Sequence, residues 1–186
     1  MEKANNYSQN IRGICYIIGA GEPFLPFQKK SDDCVIAADG GYDRLCASGI
    51  VPDLCIGDFD SAASRMDANI SVPIVRYPIH KDETDMALAA LRGYDMGYRR
   101  FVLLGGTGGR EDHTFANYQL LLRMSRMGAS GVLVGQSQLV RVLEKGFCTL
   151  HGKPGDTLSV FSFGGRALGV TLEGTEYPLT DGVLDL

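Results

Sequence analysis

A chain of 186 residues, 45% hydrophobic and 22% charged, is long enough to bury one sizeable core, or a core with a small satellite domain. Eighteen basic against 22 acidic side chains give a formal charge of -4, and no basic block or Lys/Arg-rich helix follows a phosphate backbone, so nucleic acid is not an expected partner. Five scattered cysteines with no CxxC pair read as reduced, mostly buried thiols of a cytoplasmic protein; the early apolar run ICYIIGAG is far too short to span a bilayer, so no membrane partner is expected.

In chain order, strands are expected over 14–18 and 35–38, a helix over 42–48, strands over 54–56 and 74–77, and a helix over 84–96. A strand over 101–104, a helix over 114–127 and a strand over 132–134 follow. The strand segments are short, unalternating and rich in β-branched residues, as strands buried on both faces are. Their alternation with helical patterns predicts an α/β fold with a mostly parallel sheet flanked by helices. After about Gly135 the chain becomes dense in Gly and Thr, with turn signals at KPGD and GG and no helical period. The expectation is therefore an α/β domain over 1–138 and a smaller all-β domain over 139–186.

Polar clusters follow the strand ends, where an open α/β sheet binds its ligands. They are Asp39-Gly40-Gly41, Gly57-Asp58-Phe59-Asp60-Ser61, His80-Lys81-Asp82-Glu83-Thr84-Asp85, and the run from Gly105 through Arg110 to His113. Each also has a structural reading. Asp39-Gly40-Gly41 can be a tight turn whose aspartate caps the next helix. Asp82 can be the N-cap of a helix whose positive end Asp85 favours. The glycine run at 105–109 matches neither GxxxxGK[ST] nor GxGxxG, but together with Arg110 and a following helix start it makes a plausible anion cradle. His80 and His113 lie beside acidic clusters and read equally as local hydrogen-bonding residues.

The stretch IGDFDS carries Asp58 and Asp60, with Asp53 just upstream. Two carboxylates about 4 Å apart repel by roughly 4 kcal/mol at an intermediate dielectric, so such a cluster needs water, a proton or a cation. Several carboxylate oxygens suit a hard cation such as Mg²⁺, which neutralises phosphate oxygens while Arg110 and Lys81 add positive charge.

The ordered set ADGG at 38–41, PDLCIGDFDS at 52–61, KDETD at 81–85 and GGTGGREDH at 105–113 resembles the thiamine pyrophosphokinase family. The resemblance is strong over 35–125 and looser through SVFSFGGRALGVTLEGTEYPL. It implies an N-terminal catalytic α/β domain, a C-terminal β-sandwich, and a homodimer with thiamine sites between subunits. The implied reaction moves the terminal diphosphate of ATP to the thiamine hydroxyl and releases AMP. Carried over, the resemblance puts Asp58, Asp60 and Asp85 around Mg²⁺ and the transferring phosphates, as catalytic and metal-binding groups. Asp39, Gly40, Lys81, Thr84, Arg110 and Asp112 form the nucleotide-facing group. In the family the β domain continues past the YPL segment into a strand whose Ser-Asn pair approaches thiamine, whereas the sequence here ends at YPLTDGVLDL; the β domain is therefore expected to be truncated, with its thiamine contacts unassigned. Alternatives are a metal-dependent phosphohydrolase, or a non-catalytic protein that binds nucleotide or thiamine.

Overall fold

The computed structural model describes residues 12–22, 26–57, 72–77 and 83–185. The chain forms two compact units, Met1–Phe147 and Cys148–Leu186.

The first unit is built on a seven-stranded sheet. Its elements are β1 (Cys15–Ile18), β2 (Cys34–Ala38), α1 (Gly41–Ala47), β3 (Leu54–Gly57), β4 (Ile74–Arg76), α2 (Asp85–Asp95), β5 (Arg100–Leu104), α3 (Glu111–Arg126), β6 (Ser130–Val134) and β7 (Leu139–Val140). The spatial order is β4-β3-β2-β1-β5-β6-β7. All pairings are parallel except β6 with β7.

Residue alternation within the strands decides which layer each side chain joins. Cys15 and Ile17 of β1 share a core with Cys34, Ile36 and Ala38 of β2, against Met86, Ala87, Ala89 and Ala90 of α2 and Leu120, Leu121 and Met124 of α3. Ile18, Val35 and Ala37 face the other way, onto Tyr42 and Leu45 of α1. β2 is buried along its whole length, which is why its sequence shows no polar alternation. Fully buried aliphatics such as Ile17, Ile36, Leu103 and Leu133 each stabilise the fold by about 1.5–3 kcal/mol, more than an exposed ion pair does.

Two carboxylates tie down the edge where the parallel strands begin. Asp33 accepts hydrogen bonds from the Ile14 N–H at 2.7 Å and the Lys30 N–H at 2.9 Å. Asp53 accepts from the Val35 N–H at 2.7 Å and pairs with Lys29. Asp53 therefore precedes β3, its carboxylate committed to Val35 and Lys29 where that strand begins. Asp33→Ala leaves two backbone donors without their acceptor and is expected to cost ~2 kcal/mol in a denaturant melt. An unchanged midpoint would show that solvent replaces both bonds.

α3 begins at Glu111, three residues ahead of the expected start at Thr114. Its first turn is all polar, carrying Glu111 and Asp112 at the positive helix end, so apolar periodicity could not reveal it. β7 is two residues long and antiparallel; so short a ladder leaves no readable pattern.

The second unit is all-β. Its regular structure among the described residues is one antiparallel pair, β8 (Ala167–Leu172) with β9 (Leu179–Leu184), interrupted by register shifts. Three of the five cysteines, Cys15, Cys34 and Cys55, are buried, and Cys46 and Cys148 are exposed; none is in a disulfide. The Cys15 thiol is pushed far up by its hydrogen bond with Cys34 and by burial, and burial pushes Cys55 to about 12. No helix among the described residues is long and apolar enough to cross a membrane.

Candidate active site at the carboxyl edge of the sheet

The chain runs outward from β1 through β2 and β3 to β4, then returns to the other side of β1 as β5. The reversal lies between β1 and β5, and in open α/β sheets this is where a crevice for ligands opens. Two glycine-rich loops meet there. The one after β5, Gly105 to Gly109, was expected; the one after β1, Gly19-Ala20-Gly21-Glu22, was not. The legible signal was the Gly-Ala-Gly placed directly after the first buried strand.

The two loops are joined by backbone. Gly19 N–H donates to the Leu104 carbonyl at 2.8 Å, Gly21 N–H to Gly105 at 2.9 Å, and Glu22 N–H to Thr107 at 3.0 Å. The Thr107 hydroxyl returns a bond to the Glu22 carbonyl at 2.7 Å. Such contact is possible only without side chains: a β-carbon on Gly105 would lie 2.4 Å from the Gly19 carbonyl oxygen, and Gly105 also has a φ of +68°.

Packing beneath this junction brings three further elements to the same place. A β-carbon on Gly106 would lie 2.8 Å from Leu133 of β6, 2.9 Å from Asn117 of α3 and 3.0 Å from Met86 of α2. Asn117 is buried, and its amide donates to the Gly106 carbonyl at 2.8 Å. The carbonyls of Gly105, Gly106 and Thr107 are thus all engaged. Among the described residues, no acceptor meets the backbone N–H groups of Gly106, Gly108 or Gly109. Engaged carbonyls, with amides that meet no acceptor among the described residues, make a loop suited to an anion.

Among the other expected site residues, Asp39 stands at the end of β2 with a left-handed φ of 45°, a costly conformation for a residue with a side chain, of a kind that clusters at functional sites. Its N–H donates to Ile56 of β3. Gly40 is the N-cap of α1. Thr84 is the N-cap of α2, accepting from the Ala87 N–H through Oγ1 at 3.2 Å, so Asp85 becomes the first helical residue, where the positive helix end favours a carboxylate. Asp58, Asp60, Lys81 and His80, together with Asp82, lie outside the described residues.

Arg110 and Asp112 are found gripping each other, Nε to Oδ1 at 3.1 Å and Nη2 to Oδ2 at 2.5 Å. The Arg110 hydrogen bond holds the Asp112 carboxyl below the usual carboxylate range, and Asp112 in turn raises Arg110. A depressed carboxyl makes its contribution above the unfolded-state pKa and loses it as pH falls through the lower folded value; here both groups are exposed, so the effect is local. Arg110→Ala is expected to move the Asp112 titration midpoint upward in an NMR titration. A midpoint unmoved by the substitution would mean the pair does not persist in solution.

Among the described residues, no group of three or more His, Cys, Asp or Glu side chains forms a metal-binding set. The donor chemistry nevertheless fits a hard cation. Asp39 directly follows β2 and Asp85 opens α2, and carboxylate oxygens are the donors that a hard cation takes.

Together these features define an open, mostly parallel α/β domain with a glycine-rich loop at its topological switch point. Residues 27–133 match the family model for the thiamin pyrophosphokinase catalytic domain, and the chain belongs to that enzyme family. The thiamine pyrophosphokinase of Bacillus subtilis (strain 168) is 28% identical over 150 residues, covering 78% of this chain and 70% of the relative. The crystal structure of thiamine pyrophosphokinase from Bacillus subtilis superposes with a TM-score of 0.82 at 25% identity, covering 94% of this chain and 85% of that one. The thiamin pyrophosphokinase from Geobacillus thermodenitrificans does so at 0.76 and 27%, covering 94% and 84%.

Proposed function

We propose that this chain transfers the terminal diphosphate of ATP to the hydroxyl of thiamine, giving thiamine diphosphate and AMP. The observation that carries the reading is the glycine loop at the switch point, in a chain of this family: the carbonyls of Gly105, Gly106 and Thr107 are engaged, and the amides of Gly106, Gly108 and Gly109 meet no acceptor among the described residues. In the proposed step the thiamine hydroxyl oxygen bonds to the β-phosphorus, and the bond from that phosphorus to the oxygen bridging to the α-phosphate breaks. AMP leaves with that electron pair, and the hydroxyl proton passes to Asp85 or to solvent.

This chemistry is mainly alignment and charge stabilisation. The amides of Gly106, Gly108 and Gly109 hold phosphate oxygens; Arg110 exchanges Asp112 for the same polyanion, which it meets with a bidentate fork. Asp39 and Gly40, with Lys81 and Thr84, complete the nucleotide-facing side. Asp58, Asp60 and Asp85 would hold Mg²⁺, which when bound neutralises the charge developing on the phosphates. The acidic surroundings also attract the thiazolium cation of thiamine. A homodimer and a cytoplasmic location accompany the reading.

The test is incubation with ATP, Mg²⁺ and thiamine, followed by chromatography. AMP formation that requires thiamine is expected. ADP would indicate single-phosphate transfer, and phosphate release without acceptor a phosphohydrolase.

A further inference from the structure

The turn after β1 makes no expected contact with substrate, yet it is held more firmly than a surface loop requires. On one side it carries the bonds to the glycine loop described above. On the other it is gripped by Arg44 of α1. The Arg44 guanidinium donates from Nε and Nη2 to the Ala20 carbonyl at 3.2 and 3.0 Å, and from Nη1 to the Glu22 carboxylate at 2.7 Å. Lysine has no equivalent fork. α1 is itself fixed, because Gly41 lies directly on the Ile18 carbonyl.

We infer that Arg44, together with Glu22, is a positioning residue for the nucleotide phosphates. It acts through the 19–22 turn and the bonds from Gly21, Glu22 and Thr107 to hold the glycine loop in its anion-binding shape. The inference rests on the nucleotide reading proposed above. Gly19, Gly21, Gly105 and Gly106 have no side chains to restrict them, so without an external strut this junction samples many backbone states. A binding-competent shape that is populated only part of the time weakens apparent affinity in proportion. Global stability is a separate matter: the Arg44 and Glu22 side chains are 35% and 57% exposed, and such pairs add little to it. The strut therefore acts on the loop and leaves the rest of the fold unaffected.

Arg44→Ala, Arg44→Lys and Glu22→Gln, compared with wild type, decide the matter. ATP affinity is measured by equilibrium titration, thiamine KM and kcat by steady-state kinetics, melting by circular dichroism, and amide exchange by mass spectrometry. In Arg44→Ala the ATP dissociation constant is expected to rise roughly tenfold, or ~1.4 kcal/mol. The thiamine KM and melting midpoint stay close to wild type, and exchange quickens in the segment 105–109. Arg44→Lys, lacking the fork, recovers little of the loss. An ATP affinity equal to wild type, or ATP and thiamine terms falling together with the midpoint, would overturn the inference. If Arg44→Ala does not fold, Glu22→Gln, which keeps the Ala20 contacts, must still weaken ATP binding selectively; no change there refutes the strut. Wild-type protein that binds no ATP would remove the nucleotide reading itself, an outcome distinct from variants that bind as wild type does.

Discussion

Asp85→Asn is expected to cut the rate of AMP formation from ATP and thiamine by ~10²–10³-fold, the range lost when one group that stabilises developing charge is removed. The substitution is nearly isosteric, so geometry survives while the charge and the capacity to take a proton disappear. The fold tolerates the change. Thr84 still caps α2 through the Ala87 N–H, and the helix loses only a first-turn charge, worth about 0.3–1 kcal/mol. For a chain of this size that moves the melting midpoint by no more than about 4 °C. A catalytic collapse with a near-native melt is therefore the expected signature, and Asp60→Asn should reproduce it. Near-normal turnover would take the substituted aspartate out of the mechanism.

Gly41→Ala should have the largest effect on stability, for a reason unrelated to chemistry. A β-carbon there would sit 1.9 Å from the Ile18 carbonyl oxygen and 2.6 Å from its carbon. Both are backbone atoms of Ile18, itself fully buried in the central strand β1, so no side chain can swing aside. α1 must lift from the sheet, opening the layer formed by Tyr42, Leu45, Val35 and Ala37. A cost above ~3 kcal/mol is expected, at the upper end for overpacking, with a fall in melting midpoint of more than about 6 °C. Gly40 is the control. Its added β-carbon would press on the Ala20 Cβ at 2.9 Å and otherwise meet the Ala20 Cα at an ordinary 3.9 Å, and its backbone is ordinary, with φ -61°. Gly40→Ala should melt much closer to wild type, which leaves its effect on ATP affinity readable. Equal destabilisation by the two substitutions would show that α1 adjusts more freely than the packing implies.

Much of the fold was legible because burial on both faces leaves a strong mark. CVIAA and its neighbours could only be central strands, and the helices between them required the sheet to be mostly parallel. The features that escaped reading are set by tertiary contact. β7 exists because Leu139 and Val140 pair with β6, and the first turn of α3 is stabilised by charge, which periodicity does not register. The site divides similarly. Asp39, Asp85 and the Gly105–Arg110 loop were legible as polar residues following apolar runs. The joining of Gly19–Glu22 to that loop was not, since its cause is backbone bonding between segments far apart in sequence. Thr84 shows the reverse: a residue read by resemblance as nucleotide-facing also has a local duty as helix cap. Asp53 shows a structural duty that the sequence did not reveal, since its carboxylate is taken up by the Val35 N–H and Lys29 at the start of β3.

The central claim is that ATP gives up its two terminal phosphates as one unit to thiamine. ATP radiolabelled at the β-phosphorus, incubated with the protein, Mg²⁺ and thiamine, tests this most directly. The label should appear in thiamine diphosphate, with AMP unlabelled. Label retained in ADP, or released as inorganic diphosphate without thiamine having reacted, would contradict the account.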